Sequence, residues 1–257
     1  MKIKLIGITI LKISFSIKVM NPRELYEKQY GEGKLEQASS FTLLRRLFKK
    51  QDLSREDITI KFLKGKRGVI LDVGCGSGSL LFKVRDSFDK LYGIDISKNR
   101  IKKAKIIAKK FGDSNKFSFL VQDINKKINF PDNFFDVVTA IAIVEHIFDP
   151  YFVIDEIYRI LKRGGIFIIE VPNIAYLKYR VQLLFGKLPV TSSPLNWREI
   201  GWDGGHLHYF TKKSLEKLLM ESGFKILKIS GSGLFANFRN WWPSLLTGDI
   251  IIKAQKT

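Results

Sequence analysis

The chain has 257 residues, 45% of them hydrophobic, and a formal net charge of +19. That length suits one large domain, or one domain with additions, and the apolar fraction builds a full core, which excludes a disordered chain. Cys75 is the only cysteine, which excludes an intrachain disulfide and fits a reducing, cytoplasmic setting.

The basic excess has two readings, a nucleic acid or anionic partner or lysine-rich helices that solvate the protein. The run from Lys98 to Lys110 favours the second. It holds seven Lys or Arg and no acid, with Ile101, Ala104, Ala108 and Phe111 at helical spacing, so it reads as an amphipathic helix with one core face.

In chain order, residues 1–20 form an N-terminal extension. Leu5 to Leu11 and Ile13 to Ile17, broken by Lys12, are too short to span a bilayer. They lack the small-residue cleavage site of a signal peptide. The segment reads as upstream sequence before a start at Met20, or as an interfacial anchor. Residues 21–64 read as a helical cap, with Phe41, Leu43, Leu44, Leu47 and Phe48 at near-helical spacing. Tyr26 and Tyr30 are within its reach of a pocket below.

From residue 65 to 257 strands and helices alternate, which predicts an α/β domain with a doubly wound, mostly parallel seven-stranded sheet. The strands are expected at 69–73, 90–95, 116–121, 135–141, 166–171, 224–230 and 248–256. Helices are expected at about 78–88, 98–111 with Ser97 as N-cap, 150–161 ended by Gly164-Gly165, and 212–222 between Thr211 and Gly223. The last two strands, with no helix between them, predict a hairpin and an antiparallel final strand. The long insert 172–210 reads as a lid with its own helix at Ile174 to Phe185.

The segment Asp72-Val-Gly74-Cys75-Gly76-Ser-Gly78 follows the apolar run Val69-Ile70-Leu71. Glycines at alternate positions between a strand and a helix make a tight turn that a ligand can approach closely. Asp95 closes the next strand, where an open α/β sheet holds ribose hydroxyls. The third glycine comes one position early for a nicotinamide dinucleotide motif, and Ser79 holds the sixth place. Asp72 suits an amino-acid ammonium better than a pyrophosphate. Ile96 can pack on an adenine. Asp123 can accept from its amine, and Ile124 can pack on the ring's other face. Ala140 lies at the end of the fourth strand, on the same edge.

These motifs closely resemble the class I S-adenosylmethionine-dependent methyltransferases over roughly residues 69 to 256. The resemblance implies S-adenosylmethionine as cofactor, held by Asp72, Gly74, Cys75, Gly76, Gly78, Asp95, Ile96, Asp123, Ile124 and Ala140. Glu145-His146 followed by Asp149-Pro150 is similar to the ubiquinone-type O-methyltransferases, and Gly204-Gly-His206-Leu-His208-Tyr-Phe-Thr211 to enzymes of small-molecule, quinone and surface-glycan pathways. Some such relatives carry an acid three places before the glutamate and bind a divalent metal. This chain has Ala142 there, so no metal is expected.

The three histidines of the chain, His146, His206 and His208, all fall in segments expected at the mouth of the site. His146 or His206 can serve as base for a hydroxyl acceptor, and Glu145 and His208 line the acceptor side. All four tryptophans fall in two connections on that edge, Trp197 and Trp202 in the insert, Trp241 and Trp242 before the last strand. Their clustering predicts a large apolar or aromatic acceptor, or two inserts packed together as a lid. The leading expectation is an O-methyltransferase for a small, apolar or lipid- or glycan-linked acceptor, with peripheral membrane contact open and no spanning segment. Ribose methylation of RNA and a non-catalytic cofactor-binding relative are the alternatives. Thr139-Ala-Ile-Ala lacks the Asn/Asp-Pro-Pro-aromatic tetrapeptide of exocyclic base methylation, and Cys75 is committed to the glycine turn.

Overall fold

A computed structural model describes residues 52–112, 114–192 and 202–257. The expected extension at 1–20, most of the helical cap and Trp197 lie outside the described residues, as does the side chain of Trp202.

Seven strands form the main sheet: β1 (Val69–Val73), β2 (Lys90–Asp95), β3 (Phe117–Val121), β4 (Phe135–Ile141), β5 (Leu161–Pro172), β6 (Phe224–Ser230) and β7 (Asp249–Lys256). Their order is β3-β2-β1-β4-β5-β7-β6. β1 to β5 are parallel, and β7 runs antiparallel to both β5 and β6. The chain winds outward from β1 in one direction and from β4 in the other, so the crevice between the ends of β1 and β4 is the topological switch point where such sheets bind ligands.

The helices are α1 (Arg55–Leu63), α2 (Ser79–Lys83), α3 (Lys98–Lys109), α4 (Pro150–Ile160), α5 (Leu177–Leu184), α6 (Lys212–Glu221), α7 (Ala236–Arg239) and α8 (Pro243–Leu246). Four begin on a side chain that accepts a free N–H of the first turn. Ser54 forms a capping box with Asp57, Ser97 accepts from Arg100, Asp149 from Phe152, and Thr211 from Ser214. Strand alternation splits the core in two. Leu71 and Val73 pack with Val153, Ile157, Leu215 and Leu219 of α4 and α6 on one face. Ile70 and Leu91 pack with Phe62, Leu81, Ile101 and Ala104 of α1, α2 and α3 on the other. Burying each of the larger of these side chains contributes about 1.5–3 kcal/mol before the entropy cost of ordering the chain.

The structure corrects several boundaries. The helix after the glycine turn ends at Lys83 rather than 88, with a 3₁₀ turn at Arg85–Ser87. The Arg85 guanidinium donates to the Phe82 carbonyl at 3.0 Å and satisfies a helix-end acceptor. β5 begins at Leu161, so Gly164-Gly165 lies inside the strand beside a register shift between Phe135 and Val137, and α4 ends earlier. The insert helix covers Leu177–Leu184 rather than 174–185. The link between β6 and β7 holds the two one-turn helices α7 and α8 where none was expected. Among the described residues, no helix is long and apolar enough to cross a membrane.

Candidate active site

β1 is buried along almost its whole length and stops at Val73. Gly74, Gly76 and Gly78 then take φ values of +72°, +54° and +85°, the left-handed region that costs a side chain strain. The turn hangs on the neighbouring strand, because the N–H groups of Gly74 and Cys75 both donate to the Ile94 carbonyl, at 2.8 and 3.0 Å. A Cβ on Gly74 would stand 2.8 Å from Ile143 Cγ1, and one on Gly76 3.1 Å from the Arg100 guanidinium. The Cys75 thiol is buried, and burial followed by the charge of Asp72 pushes it up, so it is an inert part of the turn.

Asp95 closes the turn from β2. Its Oδ2 accepts from the Gly76 N–H at 2.9 Å and its Oδ1 from the Ser97 N–H at 2.8 Å. Asp72 sits behind the turn, 5% exposed, and its Oδ1 accepts from Thr139 Oγ1 at 2.6 Å. The two acids therefore stand together, at the ends of adjacent strands, with Asp72 paired opposite Gly93. Burial pushes the Asp72 carboxyl up to about 7; the Thr139 hydrogen bond opposes this and the charge of Asp95 adds to it.

Beyond β4 the chain turns sharply through Ala142, whose φ is +53°, and enters a 3₁₀ turn over Val144–His146. Glu145 is 1% exposed, and its Oε2 has no hydrogen-bond partner. Its neighbour is Glu170 of β5, also 1% exposed, which Arg55 of α1 reaches at 3.4 Å. Burial raises both carboxyls; the Glu170 charge lifts Glu145 further, while Arg55 opposes the rise in Glu170. Two such acids titrate as a pair.

The rings of His146 and His206 meet edge to face, 4.6 Å between centroids. His146 Nδ1 lies 3.3 Å from the Gly205 carbonyl. A carbonyl can only accept, so Nδ1 carries the hydrogen and Nε2 is the acceptor nitrogen. His206 Nδ1 lies 2.7 Å from Thr191 Oγ1, which donates to Asp203 Oδ2 at 2.8 Å. That chain gives His206 the same tautomer. Burial, and then the charge of His206, lowers His146 to about 4. Burial also lowers His206, against the charge of Asp203. Donor atoms of Glu145, His146 and His206 all lie within 4.8 Å of one another. Two imidazoles and one carboxylate are a set that takes a divalent ion, and the hydrogen bonds on each Nδ1 orient the rings as outer partners of metal ligands do. The expectation of no metal rested on Ala142; the structure brings His206 to the group from elsewhere in the chain.

The remaining expected residues divide. Ile96 is half-buried beside Asp95. Asp123 Oδ1 accepts from the backbone and side-chain N–H groups of Asn125, both at 3.0 Å, a local turn that occupies that oxygen. Ile124 and Ala140 belong to the core, and Ala140 is paired with Val73 on one side and Ile169 on the other. His208 Nε2 lies 3.3 Å from the Phe148 carbonyl, a tie between two loops. Trp241 and Trp242 stand out on the surface, 81% and 51% exposed, edge to face with each other, rather than buried in a roof.

Thr139, Arg55, Glu170, Arg100 and Asp203 were missed. Glu170 had a signal, a carboxylate inside the apolar run Ile166-Phe-Ile-Ile-Glu-Val. Asp203 is fully buried at φ +48° and accepts from Thr191 and Ser192; only its place before two glycines hinted at it.

A family model described as a methyltransferase domain matches residues 64–201. Over 99 residues the chain is 38% identical to sterol 24-C-methyltransferase of Aspergillus fumigatus, a match that covers 38% of this chain and 26% of that enzyme. It is 31% identical over 103 residues to the ubiquinone biosynthesis O-methyltransferase of Vibrio cholerae, covering 40% of each chain. Magnesium protoporphyrin IX methyltransferase from Synechocystis, solved with bound SAH, shares the fold with a TM-score of 0.61 at 18% identity, over 91% of this chain and 94% of that one. The chain thus spans only about a quarter of the sterol enzyme's length. The glycine turn, the two strand-end acids and the sheet order place it where its family match does: it belongs to the class I S-adenosylmethionine-dependent methyltransferases.

Asp72 yields a prediction with a definite sign. Its folded pKa, about 7, stands above its ordinary 3.8. The stability it contributes is therefore whole below about pH 4 and lost as the pH climbs to about 7. Asp72→Asn should melt higher than the parent at about pH 8 and no higher at about pH 4. Binding of a ligand ammonium needs the ionised acid. The parent's cofactor affinity should rise up to about tenfold per pH unit below 7 and level off above it. In Asp72→Asn it should be weak and flat. Calorimetric titration across pH, with thermal melts on the same samples, checks both signs.

Proposed function

We propose that this protein transfers a methyl group from S-adenosylmethionine to a hydroxyl of a small, apolar or lipid- or glycan-linked acceptor, in the cytoplasm. The observation that carries the reading is the His146–His206 pair. Both rings are held in the tautomer that presents Nε2 as acceptor, and both are uncharged at neutral pH. His146 lies in the loop after β4, where Ile143 stands against Gly74. The sulfonium leaves readily by itself, so the protein's work is to align the acceptor oxygen with the methyl–sulfur bond, keep water out, and take the hydroxyl proton on a histidine. In this reading residues 65–257 are the methyltransferase domain, the insert 172–210 is its lid, and Glu145 and His208 line the acceptor side.

The cluster of Glu145, His146 and His206 favours a second reading of the same step, in which the three hold a divalent cation. Such an ion would orient the acceptor oxygen and lower its pKa. Incubation of the full chain and methyl-labelled cofactor with lipid, glycan and RNA fractions of the source cell tests the acceptor class. Label is expected in the lipid or glycan fraction, as a base-stable ether. Label confined to RNA overturns the acceptor class in favour of ribose, and tight cofactor binding with no labelled product in any fraction identifies a non-catalytic relative.

A further inference from the structure

α5 contains no buried residue, so no core contact explains why an apolar helix sits there. Leu184, Phe185 and Leu188 are 80%, 73% and 60% exposed, and in the connection between β6 and β7 Phe238 and Trp241 are 73% and 81% exposed. Between α5 and the α7–α8 connection lies a groove of about 500 Å³, lined by Tyr176, Leu177, Val181, Phe238, Arg239 and Leu246. The Arg239 guanidinium lies over the Tyr176 ring at 5.3 Å and holds the two segments together. An apolar surface of this kind marks a binding face.

Its charge identifies the occupant. Residues 174–190 and 231–248 contain no Asp or Glu, and they carry Lys178, Arg180, Lys187 and Arg239. Leucines, ring side chains and cations without acids are the chemistry of a surface that sits at the headgroup level of an anionic bilayer. A second copy of this chain would set four cations against four, on molecules of net charge +19. A nucleic acid gains from flat rings and cations but nothing from Leu184 and Leu188. We propose that this face docks on an anionic lipid bilayer. Both segments leave the carboxyl ends of parallel strands, β5 and β6. That is the edge of the sheet where β1 enters the glycine turn, so docking turns the mouth of the site toward the lipid. The inference stands without the acceptor reading, because vesicle binding needs no turnover.

The test is co-sedimentation of the full chain with vesicles of phosphatidylcholine alone, or mixed with phosphatidylglycerol, at low and high salt. Binding is expected only to the mixed vesicles, with a blue shift of tryptophan emission, and weakened by salt. Leu184→Glu with Phe238→Glu, and separately Lys178→Glu, should each lower partitioning about tenfold or more, with circular dichroism and cofactor affinity unchanged. Leu184 and Phe238 are exposed, so these changes leave the core intact, and Lys178→Glu reads charge alone. Four outcomes overturn the proposal: equal binding to neutral vesicles, binding that survives both variants and so resides in another segment, self-association lost in Leu184→Glu, or tighter retention by RNA than by the mixed vesicles.

Discussion

Replacement of Asp95 by alanine should weaken S-adenosylmethionine binding by about a hundredfold or more, to the edge of detection in a calorimetric titration of a parent that binds in the micromolar range. The carboxylate works in two directions. Inward, Oδ2 holds the Gly76 N–H and Oδ1 the Ser97 N–H, so its loss leaves two N–H groups without their acceptor and frees a turn whose glycines already sit at positive φ. Outward, the carboxylate is the acceptor assigned to the two ribose hydroxyls. Two hydrogen bonds to a charged acceptor, at about 1.5 kcal/mol each, make about 3 kcal/mol, which is the hundredfold. Asp95→Asn keeps one oxygen and should fall between parent and alanine variant. NAD should not bind the parent, because a pyrophosphate on this turn would meet Asp72 and the third glycine of the dinucleotide motif is out of place. Binding of NAD in place of the sulfonium, or an alanine variant within about threefold of the parent, would sink the assignment.

What the sequence disclosed and what it withheld follow from distance along the chain. Strands were legible as apolar runs, and α3 and α6 by the caps Ser97 and Thr211, because capping is settled within three residues. The glycine turn was legible for the same reason. Thr139 lies 67 positions from the Asp72 it donates to, and Arg55 lies 115 from Glu170. Those pairs are made by strand adjacency, β1 beside β4 and α1 laid across β5, and no local pattern encodes them. Asp149-Pro150 shows the opposite hazard. It entered the reading as part of a family likeness, and in the structure Asp149 accepts from Phe152 to start α4, which is sufficient reason for both residues. The tryptophans show another. Trp241 and Trp242 do lie in the connection that leaves the carboxyl end of β6, but position along the chain does not tell whether a ring turns inward, and Trp241 turns out.

His146→Ala should reduce turnover by about 10²–10⁴-fold while cofactor affinity stays within about threefold. His146 is 9% exposed and lies in the loop whose Ile143 stands against Gly74, so its removal should act on the chemical step. The pH profile supplies the readout a packing role would not move. Burial and then His206 lower His146 to about 4. A base must be unprotonated to act, so at saturating cofactor the parent's turnover should hold steady from about pH 8 down to about pH 5 and fall below that, where an ordinary histidine base would lose activity near 6.5. Chelation separates the two readings of the site. If His146 is the base, EDTA leaves the rate unchanged and His206→Ala, which keeps His146 on the Gly205 carbonyl, costs less than His146→Ala. If Glu145, His146 and His206 hold a cation, EDTA abolishes turnover, His146→Ala and His206→Ala are equally severe, and both lose binding of added Mn²⁺ or Zn²⁺. Full activity in His146→Ala would remove it from the chemistry under either reading and leave His206, held by Thr191 and Asp203, as the remaining group able to take the proton.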